Sequence, residues 1–269
     1  MNVLQYLKLG GSLITDKDQP HTLRGEVLTR IAREIAQFLR EHPEERLLLG
    51  HGSGSFGHVP ARQHTTREGV RSPENWRGFH QVWREARALN LVVMDALLEQ
   101  GVQAVSFAPS STVSTSSREI ISWNMEPIRS ALAHGLVPVV YGDVVFDQAL
   151  GGTILSTEDL FIHLAHCIQP ARILLAGIDA GVWQDYPSKD KLIASISPDD
   201  FPAIRSHLDG SRSTDVTGGM LSKVKLMVDL VAQIPQLECR IFDGLQPEFV
   251  YHALCGKNFG TRIAASGKT

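Results

Sequence analysis

The chain has 269 residues and 29.6 kDa, with 43% hydrophobic and 20% charged residues and a mean hydropathy of -0.06. That length carries one large domain or two fused lobes around a sizeable core, and the composition excludes a disordered or fibrous chain. Lys and Arg number 26 against 29 Asp and Glu, a net charge of -3, which argues against a general nucleic-acid binder but leaves room for a local phosphate site.

In chain order, short β-branched or Leu-rich runs predict strands at residues 6–9, 46–49, 103–107, 137–141, 172–176, 239–242 and 261–263. Between the first two, Leu28, Ile31, Ile35 and Phe38 recur at helical spacing and predict a surface helix over 27–40. A longer helix is expected over 74–100, entered through Ser72-Pro73 and stopped by Gly101, with Phe79, Val82, Trp83, Ala86, Leu89 and Val93 on one stripe. Further helices are expected at 126–134, 157–167, 219–232 and 248–254. Strands alternating with helices define an α/β protein on a mainly parallel sheet. Segments 60–73 and 206–217, rich in polar residues and glycine, read as loops over a site.

The three cysteines, Cys167, Cys239 and Cys255, are odd in number and show no CxxC spacing, so they read as reduced core thiols of a cytoplasmic protein. No apolar run approaches the roughly 18 residues of a membrane span. Lys8 stands where a signal peptide needs an apolar segment, so the mature chain is expected to begin at or near Met1.

Three motifs fail their context. Gly52-Ser53-Gly54-Ser55-Phe56-Gly57 satisfies GxGxxG after a strand, but the acidic strand end that should hold a ribose about 20 residues on is replaced by a helix entry. Gly267-Lys268-Thr269 resembles the end of a P-loop without its first glycine or its helix, and reads as a disordered tail. His163, His166 and Cys167 cluster on a helix without the HExxH spacing or a further ligand, and read as helix-face residues, with no metal site assigned.

Three glycine turns, each with a lysine or histidine, keep theirs. Lys8-Leu9-Gly10-Gly11-Ser12 ends the first strand, where paired glycines let amides approach a polyphosphate and the lysine adds a cation. His51-Gly52-Ser53-Gly54-Ser55-Phe56-Gly57-His58 ends the second and opens towards a helix, an anion nest with His58 at hand. Asp215-Val216-Thr217-Gly218-Gly219-Met220 leads into a helix with Lys223 one turn inside. Such sites imply two phosphate-bearing ligands, and phosphoryl transfer needs little beyond in-line positioning and charge neutralisation.

These segments, with Lys17 and Gly142-Asp143-Val144-Val145, resemble the amino acid kinase superfamily over nearly the whole chain, and within it the isopentenyl phosphate kinase family, marked by the histidine-bearing turn. The resemblance implies a three-layer αβα sandwich with an acceptor lobe over 1–157 and a nucleotide lobe over 158–269 of one continuous domain. It implies ATP with Mg²⁺ as donor, isopentenyl phosphate as small-molecule acceptor, no nucleic-acid or membrane partner, and a homodimer. Lys8, Lys17 and His58 would be catalytic. Lys8, Gly10, Gly11, Ser12, Gly54, Asp179, Gly219 and Lys223 would hold the nucleotide. Ser53, Gly54, His58, Gly152 and Thr153 would hold the acceptor, and the stripe with Phe79 and Trp83, closed by Ile154, would take its hydrocarbon tail.

Two positions depart from the family pattern. Ser53 replaces the middle glycine of its turn, where serine tolerates positive φ less well, and Ser156-Thr157-Glu158-Asp159 replaces Ser-Gly-Asp-Asp. A kinase for another small phosphate or phosphonate, such as fosfomycin, and a non-catalytic oxyanion binder are the competing functions; the retained Lys8, Lys17 and Lys223 speak against the binder.

Overall fold

A computed structural model describes residues 3–16, 18–185, 188–208 and 219–267. Strand β1 (Leu4–Leu9) runs through a glycine turn into the single turn α1 (Gly11–Ile14) and a short hairpin of β2 (Thr15–Asp16) and β3 (Thr22–Leu23). Helix α2 (Gly25–Glu41) buries Leu28, Ile31, Ile35 and Phe38, the stripe its spacing predicts, and β4 (Arg46–His51) follows. Helix α3 (Gly54–Gln63) starts inside the second glycine turn. The long α4 (Pro73–Glu99) is capped by the Ser72 side chain, which accepts the Asn75 amide, and has Pro73 first, where its missing N–H is no loss. Gly101, at φ +79°, turns the chain out of it.

Next come β5 (Ala104–Ser106), α5 (Pro109–Thr112), the hairpin β6 (Val113–Ser116) with β7 (Glu119–Trp123), α6 (Glu126–Ala133), β8 (Val137–Tyr141), the hairpin β9 (Asp143–Asp147) with β10 (Gly151–Leu155), α7 (Thr157–Ile168) and β11 (Arg172–Gly177). The remainder is β12 (Val182–Trp183), β13 (Leu192–Ile193), β14 (Ser195–Ile196), α8 (Phe201–Leu208), α9 (Gly219–Gln233), β15 (Glu238–Asp243), α10 (Phe249–Leu254) and β16 (Thr261–Ala264).

Eight strands form one sheet in the order β14-β16-β15-β11-β1-β4-β8-β5, parallel except where β15 meets β16. Alternate side chains face opposite sides, so Tyr6 and Leu48 join a core with Phe161 and Leu164 of α7 and Val228 of α9, while Leu7 and Leu49 join one with Ile35 of α2 and Leu89 of α4. The result is the expected three-layer sandwich. In the sheet, the strands that precede residue 142 meet those that follow residue 171 at β1 and β11.

A second sheet, β10-β9-β6-β7, escaped the sequence reading. Its strands are short, and Asp147 knits it together by accepting from the Thr115 hydroxyl and the amides of Ser117, Arg118, Ala149 and Leu150 at 2.7 to 3.0 Å. These bonds hold its carboxyl down at about 2, outweighing the opposing effect of burial.

The predicted loop 60–73 needs correction: it completes α3, forms a 3-10 turn at Thr66–Glu68, and buries Ala61, Thr66 and Val70. The Val70 amide donates to the Leu150 carbonyl at 2.8 Å and the Thr153 hydroxyl to that of Arg67, so apolar contacts and hydrogen bonds order the segment. Of the other predicted loop, 206–208 close α8 and the rest lies outside the described residues, as do Lys268 and Thr269 of the tail. All three cysteines are free; Cys239 is buried, but Cys167 and Cys255 are only half-buried, each with its sulfur beside a histidine nitrogen, His163 at 3.6 Å and His42 at 3.8 Å. His163 also stacks on Trp123 with ring centres 5.8 Å apart, a helix-face role. Among the described residues, no helix is long and apolar enough to cross a membrane.

Candidate active site

In an open parallel sheet, ligands gather beyond the carboxyl ends of the strands. Here β1 ends in Gly10-Gly11, β4 in Gly52-Ser53-Gly54, β8 in Gly142 and β11 in Gly177, on neighbouring strands. The first two turns lie back to back. A Cβ added to Gly11 would stand 2.5 Å from the Gly54 nitrogen, and one on Gly52 would stand 2.9 Å from the Gly11 nitrogen. Only glycine permits this approach.

Thr15 staples the two turns. Its buried hydroxyl donates to the Gly11 carbonyl at 2.7 Å and accepts the Ser55 amide at 2.9 Å. The Gly10 amide is committed to the Ala176 carbonyl of β11 and the Gly52 amide to the Leu9 carbonyl. The first amides of a helix lack intrahelical acceptors, so those of Gly11 and Ser12 on one turn and Gly54 on the other are available to an anion. Gly54, at φ +49°, is the left-handed residue of the second turn. Ser53 is not in that region, and its side chain lies against Gly57, so the serine leaves the nest undistorted.

Lys8 lies on the α7 face of the sheet, nearly buried, and donates to Glu158 in the first turn of α7. Burial would push the Glu158 carboxyl up; the charges of Lys8 and of Lys223, one turn into α9, outweigh it and hold it below the usual range. Glu158 thus pairs with one of the three lysines singled out from the sequence and feels the charge of a second. In the sequence Glu158 stands out only as a departure from the family pattern. The signal for it was present: an acid in the first turn of a helix that starts at a strand end, where the dipole favours an anion.

Gly219, at φ +67°, begins α9 and is buried, four residues before Lys223. Asp179 lies just past β11 and pairs with Lys189 at 2.5 Å. His58 falls within the first turns of α3, with its side chain outside the described residues. Lys17 and Asp215 to Gly218 also lie outside the described residues, though the hairpin flanking Lys17 is tied to α3 by the Thr22 amide, which donates to the Ser55 hydroxyl at 3.3 Å.

On β10, Gly152 packs on Phe79, since a Cβ there would stand 2.8 Å from the ring, and Thr153 is fully buried. Phe79, Val82 and Val144 form a small apolar cluster with Ala61 and Val70, separate from the two main cores and flanked by Trp83 and Ile154. The stripe and Ile154 therefore do meet, beside the end of α3; Ala86 is buried further along α4. Asp143, beyond β8, is buried and accepts the amides of Ser110 and Val144 at 3.3 and 2.8 Å. Burial outweighs these bonds and pushes its carboxyl up to about 6.

Two amide nests a Cβ-width apart, flanked by a lysine–glutamate–lysine charge set, are the apparatus of a phosphotransferase that holds two phosphates end to end. The sequence bears out that class: the amino acid kinase family model matches residues 6–243, and the chain belongs to that family. Its relatives include the isopentenyl phosphate kinases of Methanocaldococcus jannaschii, 35% identical over 97% of this chain and 98% of that one, and of Methanothermobacter thermautotrophicus, 36% identical over 96% and 97%. Among solved structures, an isopentenyl phosphate kinase at 32% identity superposes with a TM-score of 0.81, covering 97% of this chain and 100% of the other.

Proposed function

We propose that the protein transfers the γ-phosphoryl group of ATP to isopentenyl phosphate, giving isopentenyl diphosphate. The observation that carries this reading is the contact between the Gly11 and Gly54 turns, with Lys8 and Glu158 beside it. One turn is suited to a nucleotide phosphate and the other to an acceptor phosphate, close enough for in-line transfer. Relatives at 35% and 36% identity bear the matching name.

In this reading Lys8 and Lys17 neutralise the charge of the transferring group, and Glu158 fixes the ammonium group of Lys8. Gly10, Gly11, Ser12, Gly54, Asp179, Gly219 and Lys223 hold the nucleotide. Ser53, Gly54, His58, Gly152 and Thr153 hold the acceptor phosphate. Phe79 and Trp83, with Val82 and Ile154, take the five-carbon tail, and this apolar cluster favours a prenyl acceptor over a small polar one such as fosfomycin. Glu158 is committed to Lys8 and Asp143 to backbone amides, so Mg²⁺ would fit here as an ion held by nucleotide oxygens and water, supplying further charge neutralisation.

The acceptor lobe is residues 1–157 and the nucleotide lobe 158–269. The protein works in the cytoplasm, in keeping with its free thiols, and as a homodimer. Support for the dimer is the apolar surface at the sheet edge, where Leu91 and Leu98 of α4 and Val105 of β5 remain exposed. The deciding experiment is a coupled ADP-release assay with isopentenyl phosphate, dimethylallyl phosphate and fosfomycin side by side. Turnover with isopentenyl phosphate well above fosfomycin is expected; a preference for fosfomycin, or ATP binding without turnover on any acceptor, overturns the reading.

A further inference from the structure

His51, the last residue of β4, is fully buried and belongs to none of the groups assigned above. Its ring stacks on Tyr141 of β8, with centres 5.3 Å apart and planes 7° from parallel. Nδ1 lies 3.2 Å from the Gly52 carbonyl oxygen and Nε2 lies 3.2 Å from the Asn90 side-chain oxygen on α4. Asn90 in turn donates to the Ser106 hydroxyl at the end of β5, at 3.0 Å. The main-chain carbonyl of His51 is held as well, accepting the Gly142 amide at 3.1 Å and the Thr157 hydroxyl at 2.7 Å.

A trans peptide is planar, and its C=O and N–H point opposite ways. The Gly52 carbonyl and the Ser53 amide belong to one such plane. A ring that pins the carbonyl inward therefore turns the Ser53 N–H the opposite way, away from the ring. Glycine at 52 has no side chain to hold that plane, so the orientation must be imposed from outside. The preceding peptide is already fixed by Leu9, Gly142 and Thr157, which leaves the Gly52–Ser53 plane as the free variable of the turn.

We propose that His51 is the positioning residue of the acceptor turn: its Nδ1–H holds the Gly52 carbonyl, and Asn90 holds the ring, so that the Ser53 amide is aimed at the acceptor's phosphate. This deepens the functional reading above and rests on it. A neutral ring suffices, because the Asn90 amide can present either end to Nε2 and the Ser106 hydroxyl can donate or accept. Burial pushes the imidazole down, and the nearby charge of Lys8 adds to it, against the hydrogen bonds to Gly52 and Asn90.

The test separates the two ring nitrogens. In His51→Asn the side-chain amide can stand where Nδ1 stood, whereas in His51→Gln it reaches towards the place of Nε2. Steady-state kinetics on both variants, with melting temperatures, are compared with Asn90→Leu, which leaves the turn residues intact. His51→Asn is expected to keep the KM for isopentenyl phosphate within about threefold of the wild type, while His51→Gln and Asn90→Leu raise it by about tenfold or more. The KM for ATP should move little in all three. A purely structural histidine predicts instead that KM follows melting temperature whichever nitrogen is replaced; that result, or a Gln variant better than the Asn variant, overturns the proposal. Should His51→Gln not fold, the Asn90→Leu KM decides alone, an unchanged value refuting it. Wild-type protein that releases no ADP with isopentenyl phosphate refutes the functional reading, and calorimetric titration of the same variants with inorganic phosphate then decides the role of His51 separately.

Discussion

Replacing Gly11 by alanine tests the contact on which the proposed chemistry depends. The new methyl carbon would stand 2.5 Å from the Gly54 nitrogen and 2.6 Å from its Cα, where ordinary contact begins at 3.4 Å. Both are backbone atoms, so no rotamer relieves the overlap, and the two turns must part by about 0.9 Å. A misplacement of about 1 Å at reacting groups costs about 10²-fold in rate. The overpacking should also cost about 1–3 kcal/mol of stability, less than the total of about 5–15 kcal/mol expected for a domain, so the variant should fold. Gly142→Ala is the matched control, at the same end of the sheet but with its nearest atom at an ordinary 3.6 Å. Coupled ADP release should show kcat down about 100-fold in Gly11→Ala and within a few-fold of wild type in Gly142→Ala. Equal activity in the two variants, with Gly11→Ala folded by circular dichroism, would show that the spacing of the turns does not govern transfer.

Lys17→Ala should lower kcat and kcat/KM together by about two powers of ten, the loss expected of one charge-stabilising donor acting in the transition state; a defect confined to the KM for ATP refutes that role. His58→Ala should depress turnover sharply while ATP binding, followed by calorimetry, is retained, and near wild-type turnover at saturating acceptor would remove His58 from the mechanism. Phe79→Ala or Trp83→Ala should shift kcat/KM towards longer prenyl phosphates such as geranyl phosphate, because each further buried methylene is worth about 0.8 kcal/mol once there is room; an unchanged long-to-short ratio in folded variants makes the cluster core alone. Asp147 carries a lowered pKa, so its contribution to stability is present above the ordinary aspartate value of about 3.9 and is lost as pH falls through about 2. Asp147→Asn should therefore melt earlier than wild type at neutral pH, with the gap closing in acid; a gap independent of pH contradicts the assignment.

Seven strands of the large sheet and its longest helices were legible because their residues bury one face or both. The stripe Leu28, Ile31, Ile35 and Phe38 has one partner, the sheet, so its period survives in the sequence. The four-stranded sheet was not legible. In β6, Val-Ser-Thr-Ser offers one large apolar residue, and the strand is held by the Asp147 carboxylate, 32 residues on from Thr115, through contacts that no local pattern records. The segment 60–73 was misread for a related reason: it is polar in composition, yet Val70 and Ala61 fit beneath Phe79, a fact of tertiary packing.

The candidate site divides in the same way. Its glycines and lysines were visible as residue types at strand ends, where backbone approach and charge are the chemistry itself. Thr15, His51 and Asn90 were not, since each acts by holding another group, and that depends on which elements pack together; Glu158 showed only its place in the first turn of a helix, not the lysine it holds. The two departures from the family pattern show how far such packing absorbs a substitution. The methyl of Thr157 lies against Gly50, where a Cβ would stand 2.5 Å from it, and the Ser53 side chain lies against Gly57, where a Cβ would stand 2.7 Å away. Each larger side chain thus occupies space left by a glycine across from it, so neither disturbs the backbone of the glycine turns. Thr157 also adds something a glycine there cannot, a hydroxyl on the His51 carbonyl at 2.7 Å. That bond fixes the peptide immediately before the acceptor turn, which makes the substitution a stiffening of the site rather than a loss from it.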